Sequence, residues 1–393
     1  MIEFEEARKR IFEKVKRLGA LVTATVDTLD SILAEDLKAG YDFPPFDKSA
    51  VDGYAARSQD IKKAPVKLKC RGIIKAGEFG RKKIRKGECI KIMTGAPVPE
   101  GADCVVMVED TGGNVEILRS IKKQANLCLM GEDVRKGAVI LKKGTIMRGP
   151  EISIASGLGR KKIKVFRKPS VAVLNTGDEV TEPGEALTKG RIFNNNGPML
   201  MGLLRGLNID AEYLGVAADR RGSLENLIKK GLKKDFFIIT GGVSVGDYDF
   251  VPGVLKKFGT EKILHGIRIK PGKPVYFGRR GKTFIFGAPG NPVATFVSFI
   301  LFIKPALEKM SGKTPDPGFR KGILKDDFSH KPGRKHFYPA RIVEKNGKYS
   351  VYPVKGYSGS ADIYSLKKAN AFMIVDGKIK SLKKGITVEF LLW

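Results

Sequence analysis

The sequence predicts a multidomain α/β-plus-β protein: a central doubly wound α/β domain, a small β-rich domain, a helical and extended segment, and a C-terminal β-barrel. Three observations carry this. Over 48–133, short β-branched runs such as Ile90-Lys91-Ile92-Met93 alternate with Gly and Pro turns. From 169, apolar strand-like runs alternate with helical periodicity, the pattern of a largely parallel sheet with helices on both faces. From 313, β runs return, as in a compact barrel.

The elements follow in order. Residues 1–18 read as an amphipathic helix, because Ile11, Phe12, Val15 and Leu18 recur at helical spacing. A β segment and a short helix at 150–157 fall within 134–168 and are expected beside that N-terminal helix. Val171-Ala172-Val173-Leu174 is a buried strand ending in NTGDE. A helix over 198–207 follows, with Asn194, Asn195 and Asn196 available as caps. Then come a strand at 210–216, a helix at 222–233, the strand opening FIITGGVSVGDYDF (237–250), a helix at 251–258, and the strand Thr283-Phe284-Ile285-Phe286. The turn GAPGNP leads into a long apolar helix over 293–307. Barrel strands are expected at 322–324, 337–343, 371–375 and 386–392. The domains are therefore 1–47 with 134–168, 48–133, 169–312 and 313–393.

Composition bounds the class. At 393 residues the chain holds roughly two to four domains. The apolar run over 293–307 is interrupted by Thr295, Ser298 and Lys304, so it reads as a buried helix and not a membrane span. The first residues are acidic where a secretory signal would be basic. The four cysteines form no CxxC pair, so neither a zinc site nor a disulfide framework is expected, and a cytoplasmic setting fits. The formal charge of +30 is spread over scattered pairs such as Lys62-Lys63 and Lys229-Lys230. A lysine-rich solvated surface explains most of it; attraction of anions is the second reading. Nucleic-acid binding is expected to be non-specific at most.

The chemistry concentrates in loops at strand ends, where ligands of open α/β sheets sit. Gly241, Gly242 and Gly246 let backbone N–H groups face inward, and Ser244 adds a donor. The GK[ST] ending of a Walker loop is missing. Lys270 and Lys273 bracket Pro271-Gly272 and can meet phosphate. GAPGNPVA pre-sets a loop before a helix, with Pro292 suited to its first turn. Asp47, Asp52, Asp133, Asp178, Glu179, Asp219, Asp247 and Asp249 lie in loop-like text, and hard oxygen ligands of this kind suit Mg²⁺ bridged to phosphate. Singly, each is an ordinary turn former or helix cap.

The motifs FPPFDKSAVDGYA (43–55), IKIMTGAPVPEGAD (90–103), GEDV (131–134), NTGDE (175–179), TGGVSVGDYD (240–249), IKPGKP (269–274) and PGNPV (289–293) occur in one order over most of the chain. Together with the tail GYSGSADIYSLKKANAFMIV, they closely resemble the MoeA family of molybdopterin molybdenumtransferases, which includes the E domain of gephyrin. The resemblance implies an elongated homodimer whose active site spans the subunit interface. It also implies that 1–47 with 134–168 forms the dimerisation domain and that the central domain is shared with the molybdopterin adenylyltransferase. The reaction implied is metal insertion: adenylylated molybdopterin binds, AMP leaves, and molybdate or tungstate is placed on the dithiolene, with Mg²⁺ as the divalent ion. Transient contact with the adenylyltransferase is expected, and no membrane. The alternatives are an adenylyltransferase-like step and a binding scaffold.

The resemblance implies the following roles. Asp52, Thr94 and Asp133 close the cleft from the β-rich domain. Glu179 and Asp219 act from the α/β domain, where Asp249, with Asp247, holds the divalent ion. Gly241, Gly242 and Ser244 cradle phosphate, Lys270 and Lys273 neutralise developing charge, and Pro289, Gly290, Asn291 and Pro292 shape the pocket with Ser360. Two departures stand out. Where the family usually carries arginine before GED, this chain has Cys128-Leu129-Met130, and where it carries aspartate in DSN, this chain has Asn194.

Overall fold

The computed structural model describes every residue except Gly80, Arg81, 218–220, 244–249 and Pro317, together with the side chains of Arg221 and Ser223. The chain forms two compact units. One comprises Met1–Ala34, Ile146–Arg148 and Lys164–Trp393; the other comprises Glu35–Thr145 and Gly149–Ile163.

The expected N-terminal helix is α1 (Phe4–Lys14), which ends before Val15 turns extended. In the second unit, β1 (Gly53–Ala56), β2 (Lys69–Ile74), β3 (Glu88–Ile92) and β4 (Cys104–Met107) form a sheet in the order β2-β3-β1-β4. Its Gly and Pro turns come from the punctuation read in the sequence. Ala55, Ile90, Ile92 and Val105 fill one side of it, and Cys89, Cys104 and Val106 the other. Helix α2 (Gly149–Gly157) belongs to the same unit.

The α/β sheet of the first unit contains β5 (Val171–Thr176), β6 (Ala211–Ala217), β7 (Phe236–Thr240), β8 (Glu261–His265), β9 (Tyr276–Arg280) and β10 (Thr283–Ala288). The order is β6-β5-β7-β10-β9-β8. The first four strands are parallel, as expected; β9 runs antiparallel to both of its neighbours, β10 and β8. That hairpin edge was not anticipated, because Tyr276-Phe277 continues the IKPGKP loop and reads as part of it. Alternation along each strand splits the core. Val171, Val173, Phe236, Ile238 and Phe286 face one side, with α3 (Asn196–Gly206). Ala172, Leu174, Phe237, Ile239 and Ile285 face the other, where Leu224 and Ile228 of α4 (Arg221–Gly231) and Val254 and Leu255 of α5 (Phe250–Lys257) cover them.

The long apolar helix is real but not uniform. It consists of α6 (Pro292–Ser298), a π-helical turn at Phe299–Ile303 and α7 (Lys304–Met310). Pro305 has no N–H and its ring crowds the preceding turn, and the widened turn lies just before it. Helix α1, expected beside 134–168, buries Phe4, Ala7 and Ile11 in the core it shares with Phe302 and Phe337. Phe4 meets Phe302 edge-on at 5.9 Å and Phe337 at 5.0 Å.

The C-terminal strands are β11 (Phe319–Leu324), β12 (Lys335–Lys345), β13 (Lys348–Pro353), β14 (Ala371–Val375) and β15 (Thr387–Leu392). They close in the order β12-β13-β11-β15-β14, with β14 pairing back onto β12. Closure removes the free edges. The barrel core includes Leu324, Val351, Met373 and Phe390. Strand β13 was missed, because KYSVYP carries only one fully buried residue.

Candidate active site

The register of the parallel strands sets Asn175 beside Thr240, and Thr240 beside Ala288. The three loops that follow therefore meet at one edge of the sheet. They enclose a cleft of about 840 Å³, lined by Asn175–Gly177, Glu179, Thr240–Val243, Asn194–Asn196 and Pro289–Pro292. Ala361 and Tyr364 from the barrel's 3₁₀ region also line it.

The glycines are there because nothing larger fits. Gly241 has φ +81°, and a Cβ on it would come 2.5 Å from the Thr176 carbonyl oxygen. Gly242 has φ +59°, and its Cβ would come 2.8 Å from Thr176 Oγ1. Both conformations disfavour L side chains. The Gly241 N–H donates to the Ala288 carbonyl at 3.2 Å, tying two of the loops together. Thr176 Oγ1 and Asn196 Oδ1 are buried without a partner among the described residues. Such atoms are normally satisfied, so this edge keeps hydrogen-bonding capacity in reserve.

The loop 289–292 is the wall between this cleft and a second pocket of about 470 Å³. Asn196 Nδ2 donates to the Gly290 carbonyl at 2.6 Å, and Thr295 Oγ1 donates to the Pro289 carbonyl at 2.5 Å. Asn291 Nδ2 donates to Ser360 Oγ at 2.8 Å, and the Val293 N–H donates to the Ser360 carbonyl at 3.0 Å. Lys270, Lys273, Arg334, Tyr357 and Ser360 line the second pocket. Arg334 is held by donating Nη1 to the Ile269 carbonyl at 3.0 Å. Three cations line one small pocket, with no carboxylate among its described lining residues, so its potential favours an anion.

The predicted residues therefore separate into groups. Glu179, Gly241, Gly242, Pro289, Gly290, Asn291 and Pro292 line the cleft, with Glu179 exposed. Lys270, Lys273 and Ser360 share the adjoining pocket. In the other unit, Asp52 and Thr94 are bonded: the Thr94 N–H and hydroxyl both donate to Asp52 Oδ1, at 2.6 and 2.7 Å. The backbone donor, then the hydroxyl, hold the Asp52 carboxyl below its ordinary value. Asp133 is exposed on the GED turn, where its N–H donates to the Phe43 carbonyl at 3.0 Å. On the same turn, burial pushes the Cys128 thiol up, and Glu132 adds to it. Asp219, Ser244, Asp247 and Asp249 lie outside the described residues. Among the described residues, no group of three or more His, Cys, Asp or Glu could hold a metal.

Thr176, Asn196 and Arg334 were not singled out as site residues. For Thr176 a signal existed, since Asn175-Thr176 is a polar pair ending an apolar strand. Arg334 had none: it lies far along the chain, and only the parallel pairing of Ile269 and Lys270 with Lys335 and His336 brings it back to the lysines.

Family models match three stretches. Residues 2–159 match the MoeA N-terminal region (domain I and II), 172–309 a "Probable molybdopterin binding domain", and 321–393 the MoeA C-terminal region (domain IV). A molybdopterin molybdenumtransferase of Staphylococcus aureus is 34% identical over 400 residues, covering 100% of this chain and 95% of the relative. The chain belongs to the MoeA family. A Staphylococcus epidermidis relative of the same name is also 34% identical. A MoeA crystal structure from Pyrococcus horikoshii superimposes with a TM-score of 0.84 at 32% identity, covering 100% of this chain and 99% of that one. A Pyrococcus furiosus molybdenum cofactor biosynthesis protein, 23% identical with a TM-score of 0.60, shares the fold.

Within this MoeA chain, the Asn194 departure has a structural role. Buried Asn194 takes hydrogen bonds on Oδ1 from Asn175 Nδ2 and from the Gly197 N–H, the latter at 3.0 Å, which caps α3. Its Nδ2 donates to the Tyr213 hydroxyl at 2.6 Å and to Glu182 at 3.2 Å. A carboxylate here would face the Glu182 carboxylate and compete with it for the single Tyr213 hydroxyl proton, so the amide suits this environment.

Proposed function

We propose that the chain catalyses metal insertion in molybdenum cofactor biosynthesis: it binds adenylylated molybdopterin, releases AMP and places molybdate or tungstate on the dithiolene. The carrying observation is the pair of adjoining pockets with the 289–292 loop as common wall. The large cleft, with its glycine turns, suits a pterin bearing phosphates. The small cationic pocket suits an oxyanion, which Lys270, Lys273 and Arg334 would neutralise as charge develops. An oxyanion site here also removes the need for the arginine that Cys128 replaces. The relatives named molybdopterin molybdenumtransferase support the reaction class.

The finer assignments belong to the same reading. Gly241, Gly242 and Ser244 cradle phosphate. Asp247 and Asp249 would hold Mg²⁺, whose chemistry is charge neutralisation on the phosphoanhydride, and Glu179 and Asp219 would act with them from the α/β domain. Asp52, Thr94 and Asp133 of a second copy complete the site in a homodimer. The setting is cytoplasmic, with the adenylyltransferase as a transient partner.

Purified protein given adenylylated molybdopterin should release AMP only when molybdate or tungstate is present. Lys270→Ala and Lys273→Ala should raise the oxyanion concentration needed by roughly tenfold or more, the scale of one lost charge-assisted contact. AMP release independent of oxyanion, or ATP consumption in its place, would overturn the proposal.

A further inference from the structure

Strands β2 and β3 run parallel with Cys70 and Cys89 as direct register partners. Partners on neighbouring strands lie roughly 4.7–4.9 Å apart, inside the Cα separation of about 4.4–6.8 Å that a disulfide spans. Register partners in a parallel pair point to the same face, which puts the two thiols on one side of the sheet. Cys70 is exposed on the edge strand, its Sγ donating to the Gly72 carbonyl at 3.4 Å, whereas Cys89 is fully buried. The register shifts immediately after Cys70, between Cys70 and Ile73. The edge strand is therefore not locked at that point by an unbroken ladder.

We propose that Cys70 and Cys89 form a reversible cross-strand disulfide, closed by a low-molecular-weight disulfide reagent. The Cys70 thiolate attacks one sulfur of glutathione disulfide, forming a mixed disulfide and releasing one glutathione thiolate. Cys89 then attacks the Cys70 sulfur, its proton passing to the departing glutathione thiolate. The Cys70–Cys89 bond forms as the second glutathione leaves, so two electrons pass from the pair to the reagent. Accessibility sets the order of attack, since solvent reaches Cys70 and not Cys89. Burial, with Cys70 adding to it, pushes the Cys89 thiol up to about 12, which makes the second step slow. The clasp joins the edge strand to β3, whose end at Ile92 leads directly into Thr94.

The test is peptide mapping of the whole protein after incubation with glutathione disulfide, with free thiols alkylated under denaturing conditions. A Cys70–Cys89 linked peptide, two hydrogens lighter than the sum of its parts and lost on adding dithiothreitol, is expected. Cys70→Ser should abolish the link and leave Cys89 alkylated. Cys89→Ala should trap Cys70 as the glutathione adduct. A stable glutathione adduct on Cys70 in the unaltered protein, or an unmodified Cys70, would overturn the proposal.

Discussion

Two residues at the cleft edge separate packing from binding. Gly241 owes its identity to the close Thr176 carbonyl and its positive φ, so Gly241→Ala should cost roughly 1–3 kcal/mol of stability. A lower urea midpoint at unchanged slope would report it. Thr176 is the converse. Its buried hydroxyl has no partner among the described residues, so Thr176→Val should leave the urea midpoint nearly unchanged. Binding of adenylylated molybdopterin should weaken by about tenfold, the worth of one hydrogen bond. If Thr176→Val bound as tightly as the parent, the reserve capacity assigned to this hydroxyl would be wrong. The glycines were legible in TGGVSVG as turn formers, but the atom that excludes a side chain was not. That atom, the Thr176 carbonyl oxygen, belongs to a strand well before Gly241 in the chain, and only the β5–β7 register brings it near.

At the scale of elements, the same sheet is fastened at the end opposite the cleft. Asp235, just before β7, takes bonds from Arg167 Nη1 and Nη2 at 2.6 and 2.8 Å, and from the Ser170 N–H and hydroxyl, both at 2.7 Å. This joins the entrances of β5 and β7. The Arg167 guanidinium, with the Ser170 donors, holds the Asp235 carboxyl down to about 2. A depressed carboxyl stabilises the fold while ionised. Its contribution is complete above the unfolded value of 3.8 and is lost as pH falls through about 2. Asp235→Asn should therefore cost about 2 kcal/mol at neutral pH and nothing at acid pH, read from unfolding curves across that window. Element order in the parallel half was readable, because apolar runs, glycines and helix caps are local signals. The antiparallel edge and β13 were not, since both depend on which neighbour a short, half-buried run finds.

In the first unit as a whole, helix, sheet and barrel share one core, and its buried histidine makes stability pH-dependent. His336 is 2% exposed, and burial first, then Lys270 and His330, pull its pKa down to about 3. Folded His336 stays neutral where the unfolded chain would protonate. The unfolded state thus binds more protons between about 6.5 and 3, and stability falls as pH is lowered through that window. His336→Gln should flatten this slope in urea unfolding followed against pH; an unchanged slope would assign it elsewhere. By itself the sequence determined the family, the domain classes, the glycine turns and the lysine pair, because each is written in contiguous residues whose backbone preferences and polarity act locally. The tertiary structure decided that Arg334 joins Lys270 and Lys273, that Asn194 caps α3 within a polar network, and that Cys70 lies beside Cys89. Those are pairings between separate segments, fixed by strand register and side-chain hydrogen bonding, and no local pattern encodes them.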